Sequence, residues 1–317
     1  MTESRHPSPF PDFPSSLLEL EQRFPDEDAC AAYLRHLRWP DGFVCPHCGS
    51  RRAWELNSKK HCVQCADCKI QTSIRAGTIM HKSHLPLRTW FWAAWLMASH
   101  SNGISAVQLQ RQLGLGSYKT AWLLLAKLRR AMVDPDRHPL AGVVEIDEAT
   151  MPYQRKDDPV GGGQGRSMKG KMAMVAAVEA DGERIGRLRL QPIGDYCAKT
   201  LGAFTNAVLA PEALMRTDGW ASYPAIAGHA HSPIVVGPMA AHVVLDAIHK
   251  VFGNLKAWAR GVYHGLRPKH LQSYLDEFVF RFNRRRKRHV GVRSLLRLGM
   301  NTSPKPYARI ISQDTKE

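Results

Sequence analysis

The sequence contains no long run of apolar residues. The longest candidate, WFWAAWLMA at positions 90–98, is far shorter than the roughly 20 residues that a membrane-spanning helix requires. The opening stretch MTESRHPSPFPDFPSS lacks the basic start and apolar middle of a secretory signal. These absences favour a cytoplasmic protein. Prolines at 7, 9, 11 and 14 predict that the first 16 residues are disordered.

A phosphate-binding loop is also missing. The glycine-rich segment RKDDPVGGGQGRSMKGK, residues 155–171, does not have the spacing of glycines, lysine and hydroxyl residue that cradles a nucleotide. Nucleotide hydrolysis is therefore not indicated. We expect this segment to be either a basic flap that grips nucleic acid or a plain linker.

Acidic residues are scarce relative to basic ones. The chain has 28 Asp and Glu against 44 Lys and Arg, a formal charge of +16. The excess is clustered, because nine basic and two acidic residues lie between Lys269 and Arg297. A clustered surplus favours a polyanionic partner, commonly nucleic acid, over a merely solubilising surface. Within RFNRRRKRH, the residues predicted to bind the phosphate backbone are Arg284, Arg285 and Arg286.

Five of the seven cysteines lie in CPHCGSRRAWELNSKKHCVQCADC, residues 45–68. In a reducing compartment, two Cys-x-x-Cys pairs at this separation are typical of a zinc ribbon and not of disulfides. We predict a structural Zn²⁺ held by Cys45, Cys48, Cys65 and Cys68. Cys62 stays open as an alternative ligand, since it forms an overlapping Cys-x-x-Cys pair with Cys65.

The segment after the ribbon predicts two short helices joined by a glycine-containing turn. Pro86 suits the start of a preceding helix, and Ser105 is a candidate N-cap for the first short one. Apolar residues then recur at three- and four-residue spacing around the turn GLGS at 114–117. A helix-turn-helix would place the start of its second helix in the major groove, while a plain helical hairpin stays possible. The predicted DNA-contacting residues are Ser117, Tyr118, Lys119 and Thr120.

From residue 142 the pattern changes to strands. The order is GVVEIDEA, two strands around ADGER, a helix, ALMRTDGW, SPIVVG and a final helix, which predicts an α/β, RNase H-like fold with a mixed sheet. There, carboxylates on the first strand and at the end of the fourth meet at the centre of the sheet. Asp147 and Asp218 occupy those positions and would hold Mg²⁺ or Mn²⁺ for phosphoryl transfer. Strand alternation puts Glu145 on the face of Asp147 and Glu148 on the other.

The chain resembles the zinc-ribbon-bearing DDE-type transposases of bacterial insertion sequences. The stretches that carry the resemblance are LRWPDGFVCPHCGS, CADCKIQTSIRAGTI, LGLGSYKTAWLLLAKLR, VEIDEA, TDGWASY and NLKAWARGVYHGLRPKHLQSYLDEFVFRFNRR. The resemblance implies an enzyme that cuts at the terminal inverted repeats of its element and joins the freed 3′ ends to target DNA. It also implies that Asp147 and Asp218 are the first two acidic positions of the site.

Such transposases place a third carboxylate on the final helix and a basic residue seven positions later, where this chain has His249 and Lys256. Seven residues return to nearly the same helix face. We predict that His249 takes the third metal position and that Lys256 contacts a phosphate or positions the DNA end. Imidazole suits Mn²⁺ better than Mg²⁺, so roles as general base or DNA contact stay open for His249, and Asp246 could reach the metals. The apolar stripe predicted to dock this helix is Leu245, Ile248, Phe252 and Leu255.

The predicted organisation has five parts. They are a partly disordered segment ending in a helix (1–40), the zinc ribbon (41–80), the helix-turn-helix region (84–133), the catalytic domain (140–290) and a C-terminal tail (291–317). The predicted partners are double-stranded DNA, as inverted repeats and as target, and a second copy of the chain, with no membrane and no nucleotide cofactor. The alternatives are a non-catalytic DNA-binding regulator and a nuclease of the same fold.

Overall fold

A computed structural model describes residues 13–153, 169–182, 184–218, 222–223, 226, 228–234 and 245–312. The chain divides into two compact units. The first comprises Met1–Met132 and Arg286–Tyr307, and the second comprises Val133–Arg285 and Ala308–Glu317. Within the described ranges, no helix is both long enough and apolar enough to span a bilayer. Most of the glycine-rich segment at 155–171 lies outside the described residues.

The helices and strands follow the order of the sequence pattern closely. The elements are α1 (Leu17–Arg23), α2 (Glu27–Arg38), β1 (Ala53–Glu55), β2 (Cys62–Cys65), β3 (Gln71–Ser73), α3 (Leu87–Ser99), α4 (Ala106–Gln112), α5 (Tyr118–Arg130), β4 (Val143–Pro152), β5 (Lys171–Asp181), β6 (Arg184–Ile193), α6 (Ala198–Val208), β7 (Leu214–Thr217), β8 (Ala230–Pro233), α7 (Asp246–Tyr263), a 3₁₀ turn (Pro268–His270), α8 (Leu271–Asn283), α9 (Arg288–Asn301) and α10 (Tyr307–Ile311).

Residues 13–16 of the first unit are ordered, although the prolines predicted disorder as far as residue 16. Phe13 is 4% exposed, and its ring centroid lies 5.9 Å from that of Phe24 and 5.7 Å from that of Tyr33. Burial of an aromatic ring offsets the entropy lost in ordering the short segment before α1. The expected disorder therefore does not extend to residues 13–16, while residues 1–12 lie outside the described residues.

The sequence predicted a separate C-terminal tail from residue 291. Instead, residues 291–301 belong to helix α9 and residues 307–311 to helix α10. Helix α9 packs against α3 within the first unit, and its Val292, Leu295 and Leu296 are buried. Gly299 permits a close approach, because a Cβ there would meet the Cδ1 atom of Ile79 at 2.8 Å. The boundary predicted at residue 290 thus falls inside an amphipathic helix that belongs to the first unit.

The second unit contains a five-stranded sheet with the order β6-β5-β4-β7-β8. Strands β4, β5 and β6 pair antiparallel, whereas β7 is parallel to both β4 and β8. One face of β4 contributes Ala149 and Met151 to a core with α7 and α8, and the other contributes Val144 and Ile146 to a core with α6. This sheet order, with helices on both faces, confirms the predicted RNase H-like class.

Side chains from the end of α8 cover the outer edge of β6. Asn283 accepts from the Leu188 amide through Oδ1 at 2.8 Å and donates from Nδ2 to the Leu188 carbonyl at 3.2 Å. Arg285 donates to the carbonyl of Gly186 at 3.4 Å and to that of Ile185. Because an edge strand otherwise presents unpaired backbone groups to other chains, these contacts block further strand pairing along this part of β6.

Candidate functional site

Four cysteines of the first unit converge on one point. The sulfur atoms of Cys45, Cys48, Cys65 and Cys68 all lie within 4.8 Å of one another. The Cys45 and Cys68 sulfurs are 3.6 Å apart, and the Cys48 and Cys65 sulfurs are 3.5 Å apart. Four thiolates in this compact arrangement suit tetrahedral zinc coordination.

Two equivalent turns explain why Cys68 and not Cys62 completes the set. In one, the Gly49 amide donates to the Cys45 carbonyl at 2.9 Å, and in the other the Lys69 amide donates to the Cys65 carbonyl at 3.2 Å. Both Gly49 and Lys69 have positive φ, +74° and +61°. Amides in the second turn, that of Cys68 first, lower the pKa of Cys65 to about 6. The chain therefore presents the donor set of a structural Zn²⁺ site.

The predicted DNA-contacting residues of the helix-turn-helix region divide into two pairs. Ser117 is the N-cap of α5 and accepts from the Thr120 amide at 3.1 Å, and the two hydroxyls are 2.9 Å apart. These side chains are occupied in capping the helix. Tyr118, 49% exposed, and Lys119 lie on the surface. The surface-exposed pair is thus the one free to reach a ligand.

The three arginines predicted to bind phosphates have different environments. The Arg284 guanidinium lies 3.9 Å from the Phe280 ring centroid and donates to the Phe280 carbonyl at 3.3 Å. Arg285 binds the edge of β6 as described above. Arg286 is exposed. The guanidinium groups of Arg284 and Arg285 are thus engaged within the fold. Arg284 contacts a carbonyl and an aromatic ring, and Arg285 contacts carbonyl groups.

Strand β4 carries Asp147, and its partner β7 ends one residue before Asp218. The pairing runs from Val143 with Leu214 to Glu145 with Arg216, and the same offset continued by two residues would place Asp147 beside Asp218. Adjacent strands lie about 4.8 Å apart, and residues in register point to the same face. Asp147 is 9% exposed, on the face of the sheet that packs against α7.

Helix α7 brings His249 to this pair. The His249 Nε2 atom lies 3.7 Å from the Asp147 Oδ2 atom. The predicted apolar stripe of α7 is buried on the sheet as expected, with Ile248 and Leu255 fully inaccessible. Lys256 is exposed two turns further along. Asp246 is bound by Lys250 at 2.5 Å, so its carboxylate is engaged on the helix surface.

The predicted catalytic residues Asp147, Asp218 and His249 do not lie as close together as the four cysteines. Among the residues that the structure describes, the four cysteines are the one set of three or more metal-binding side chains close enough to share an ion. The structure thus brings His249 to Asp147, while Asp218 directly follows the last residue of β7, and the three do not form a tight group.

Glu145 tethers the helix that carries His249, a contact that strand alternation alone did not predict. Its Oε2 atom accepts from the Ile248 amide at 2.9 Å, in the first turn of α7, where backbone amides lack helical partners. Burial raises the pKa of Glu145, although the Ile248 amide opposes this. A carboxylate on β4 therefore serves as the side-chain cap of a helix that begins 101 residues later.

Tyr223, five residues after Asp218 in the sequence, is bonded to a carboxylate of β4. The phenol is fully inaccessible and donates to Glu148 Oε1. Burial raises the pKa of Tyr223 well above its ordinary value, and the carboxylates of Glu148, Asp147 and Asp218 raise it further. The match of TDGWASY to the resembled transposases was the sequence signal that could have identified Tyr223.

Comparison with known protein families finds one match for the zinc-ribbon region and one for the region that contains the five-stranded sheet. Residues 139–283 match the family described as ISXO2-like transposase domain, and residues 25–71 match the transposase zinc-ribbon domain. An uncharacterized protein in transposable element ISH50 of Halobacterium salinarum is 30% identical over 142 residues.

That alignment covers 43% of this chain and 47% of the relative, so it spans about half the length of the curated protein. No solved structure matches the chain. The two family matches lie in the order expected from the cysteine motif and the strand pattern. The chain thus belongs to the insertion-sequence transposases that carry an N-terminal zinc ribbon.

Proposed function

We propose that this chain is a divalent-metal-dependent DNA transposase that binds the terminal inverted repeats of its element, cleaves there and transfers the strand to target DNA. The observations that support the proposal are the parallel pairing of β4 with β7, whose register continued by two residues would bring Asp147 beside Asp218, and the 3.7 Å distance from His249 to Asp147. Two carboxylates and an imidazole, once drawn together around the ion, would form a donor set for Mn²⁺ or Mg²⁺.

Bound divalent cations would activate the attacking oxygen and stabilise the leaving one in phosphoryl transfer. The chain's own groups have distinct tasks. Asp147 and Asp218 supply the negative charge that retains the cations. Glu145 fixes the start of α7 and thereby the position of His249. Lys256, on the exposed face of the same helix, neutralises a DNA phosphate beside the reacting bond.

The proposed DNA contacts in the first unit begin at α5. Tyr118 and Lys119 are exposed at the start of that helix, the end that a helix-turn-helix presents to base edges. Arg286 adds an exposed charge for the phosphate backbone. Since a transposon has two ends, we propose that the chain acts as at least a homodimer on DNA, in the cytoplasm on nucleoid DNA.

The proposal is tested with purified zinc-loaded protein, a pre-cleaved duplex carrying one terminal repeat of its element, and a supercoiled plasmid. We expect joined products in Mn²⁺ or Mg²⁺ and none in EDTA, measured by gel electrophoresis of a labelled 3′ end. Hydrolysed plasmid without joined product would instead indicate a nuclease.

A non-catalytic DNA-binding regulator is the second candidate. The observation that favours it is the imidazole of His249 where a carboxylate is expected from the resemblance. Repeat binding with neither joining nor hydrolysis in either metal would support the regulator and contradict the transposase.

A further inference from the structure

The zinc ribbon has a polar, basic face that contains none of the DNA-contacting residues proposed so far. Antiparallel pairing sets Trp54 opposite Gln64, and Gln64 opposite Gln71, so these three side chains form a row across β1, β2 and β3. Lys59 contacts Gln71 at one end of this row, and Lys69 contacts Trp54 at the other. We call these five residues the ribbon face.

On the other side of the same sheet, β2 and β3 are directed inward, whereas β1 is exposed. Glu55, Val63 and Thr72 form the adjacent row in the pairing register, and Val63 and Thr72 are buried. Because alternate residues of a strand point to opposite faces, the row of Trp54, Gln64 and Gln71 faces away from this core. Trp54 is 46% exposed, although tryptophan is usually largely covered.

Contacts within the ribbon face hold its cations in place. The Lys69 Nζ atom lies 5.0 Å from the Trp54 ring centroid, within cation–π range. Lys59 donates to Gln71 Oε1 at 2.7 Å, and Gln71 Nε2 donates to Gln64 Oε1 at 3.4 Å. The row therefore ends in an ammonium group on each side, with amides between them.

The two carboxylates beside the ribbon face each pair with an arginine, and Asp67 also interacts electrostatically with Lys69. Glu55, in the adjacent row, pairs with Arg35, and Asp67 pairs with Arg52. The ribbon face therefore carries two ammonium groups and one large aromatic ring, with the exposed Ile70 next to it in the sequence. That composition fits a polyanion better than the apolar surface of a protein partner.

We propose that the ribbon face binds the sugar-phosphate backbone of duplex DNA. Lys59 and Lys69 neutralise phosphates, the Trp54 ring packs on a deoxyribose between them, and the two glutamine amides offer hydrogen bonds along the strand. The choice of DNA as ligand rests on the proposed function. The face itself is assigned from its exposure, charge and side-chain order.

The test compares full-length, zinc-loaded variants by fluorescence anisotropy on a labelled duplex over a range of salt concentrations. Neutralising each phosphate contributes a slope of about −0.9 to the dependence of log affinity on log salt. The double variant Lys59→Ala/Lys69→Ala should lose roughly two such contacts. It should therefore bind about 10- to 100-fold more weakly at 0.1 M salt. Trp54→Ala should weaken binding with little change of slope.

Lys60→Ala is the matched control, because Lys60 adjoins Lys59, has the same charge and lies instead 3.9 Å from Asp28. It should bind as wild type does, and equal zinc content and melting temperature should show that all variants are folded. The inference is overturned if the double variant binds like the control, if the loss is confined to single-stranded DNA, or if self-association alone changes. A wild-type chain that binds no DNA would contradict the proposed function itself.

Discussion

Asp147→Asn and Asp218→Asn are each expected to abolish strand joining while leaving DNA binding unchanged. The amide keeps the shape of the side chain but removes the charge that retains a divalent cation at neutral pH. The loss should be at least about a hundredfold, the scale on which removal of one preorganised charge-stabilising group slows an enzyme. Joining of a labelled 3′ end measures the first effect, and anisotropy on the same duplex measures the second.

Asp181→Asn provides the matched control. Asp181 lies at the exposed end of β5 in the same sheet, so its substitution makes the same chemical change away from the proposed site. Its joining activity should equal that of wild type. Either site variant joining at the wild-type rate would remove that aspartate from the proposed mechanism.

Loss of zinc is expected to unfold the ribbon. Its three strands have only three or four residues each and bury few side chains, so apolar burial alone contributes little stability. Structural zinc in small modules contributes on the order of 10 kcal/mol at neutral pH. Cys48→Ser should therefore release the metal and expose the amides of residues 45–73 to rapid hydrogen exchange, measured together with zinc content by mass spectrometry.

Cys62→Ser separates the two possible ligand sets. Cys62 lies in β2, where it pairs with Ser73, outside the group of four converging sulfurs. This variant should retain one zinc per chain and the slow exchange of the wild type. If Cys62→Ser lost the metal and Cys48→Ser kept it, the assignment of the zinc ligands would be wrong.

Local patterns predicted much of the architecture. Cysteine spacing predicted the ribbon, and the order of strands and helices predicted the sheet, because both signals depend on residues near one another in the chain. The choice between Cys62 and Cys68 needed the positive φ of Lys69 and its turn. A lysine gives no sequence signal for a conformation that usually favours glycine.

Long-range contacts account for what the sequence did not predict. The cap that Glu145 provides and the tether between Tyr223 and Glu148 join residues 103 and 75 positions apart, so no local pattern contains them. The basic run after α8 predicted phosphate contacts, yet Arg285 binds carbonyl groups of β6. Charge counts show that a segment is basic, but packing decides which cations stay exposed.

The proposed mechanism requires that Asp147 and Asp218 bind a divalent cation together. Crystals grown with Mn²⁺ and a terminal-repeat duplex, measured at the manganese absorption edge, test this most directly. We expect an anomalous peak within bonding distance of both carboxylates, with the His249 Nε2 atom in the same coordination sphere. Manganese bound by one aspartate without the other, or bound away from both, would contradict the account.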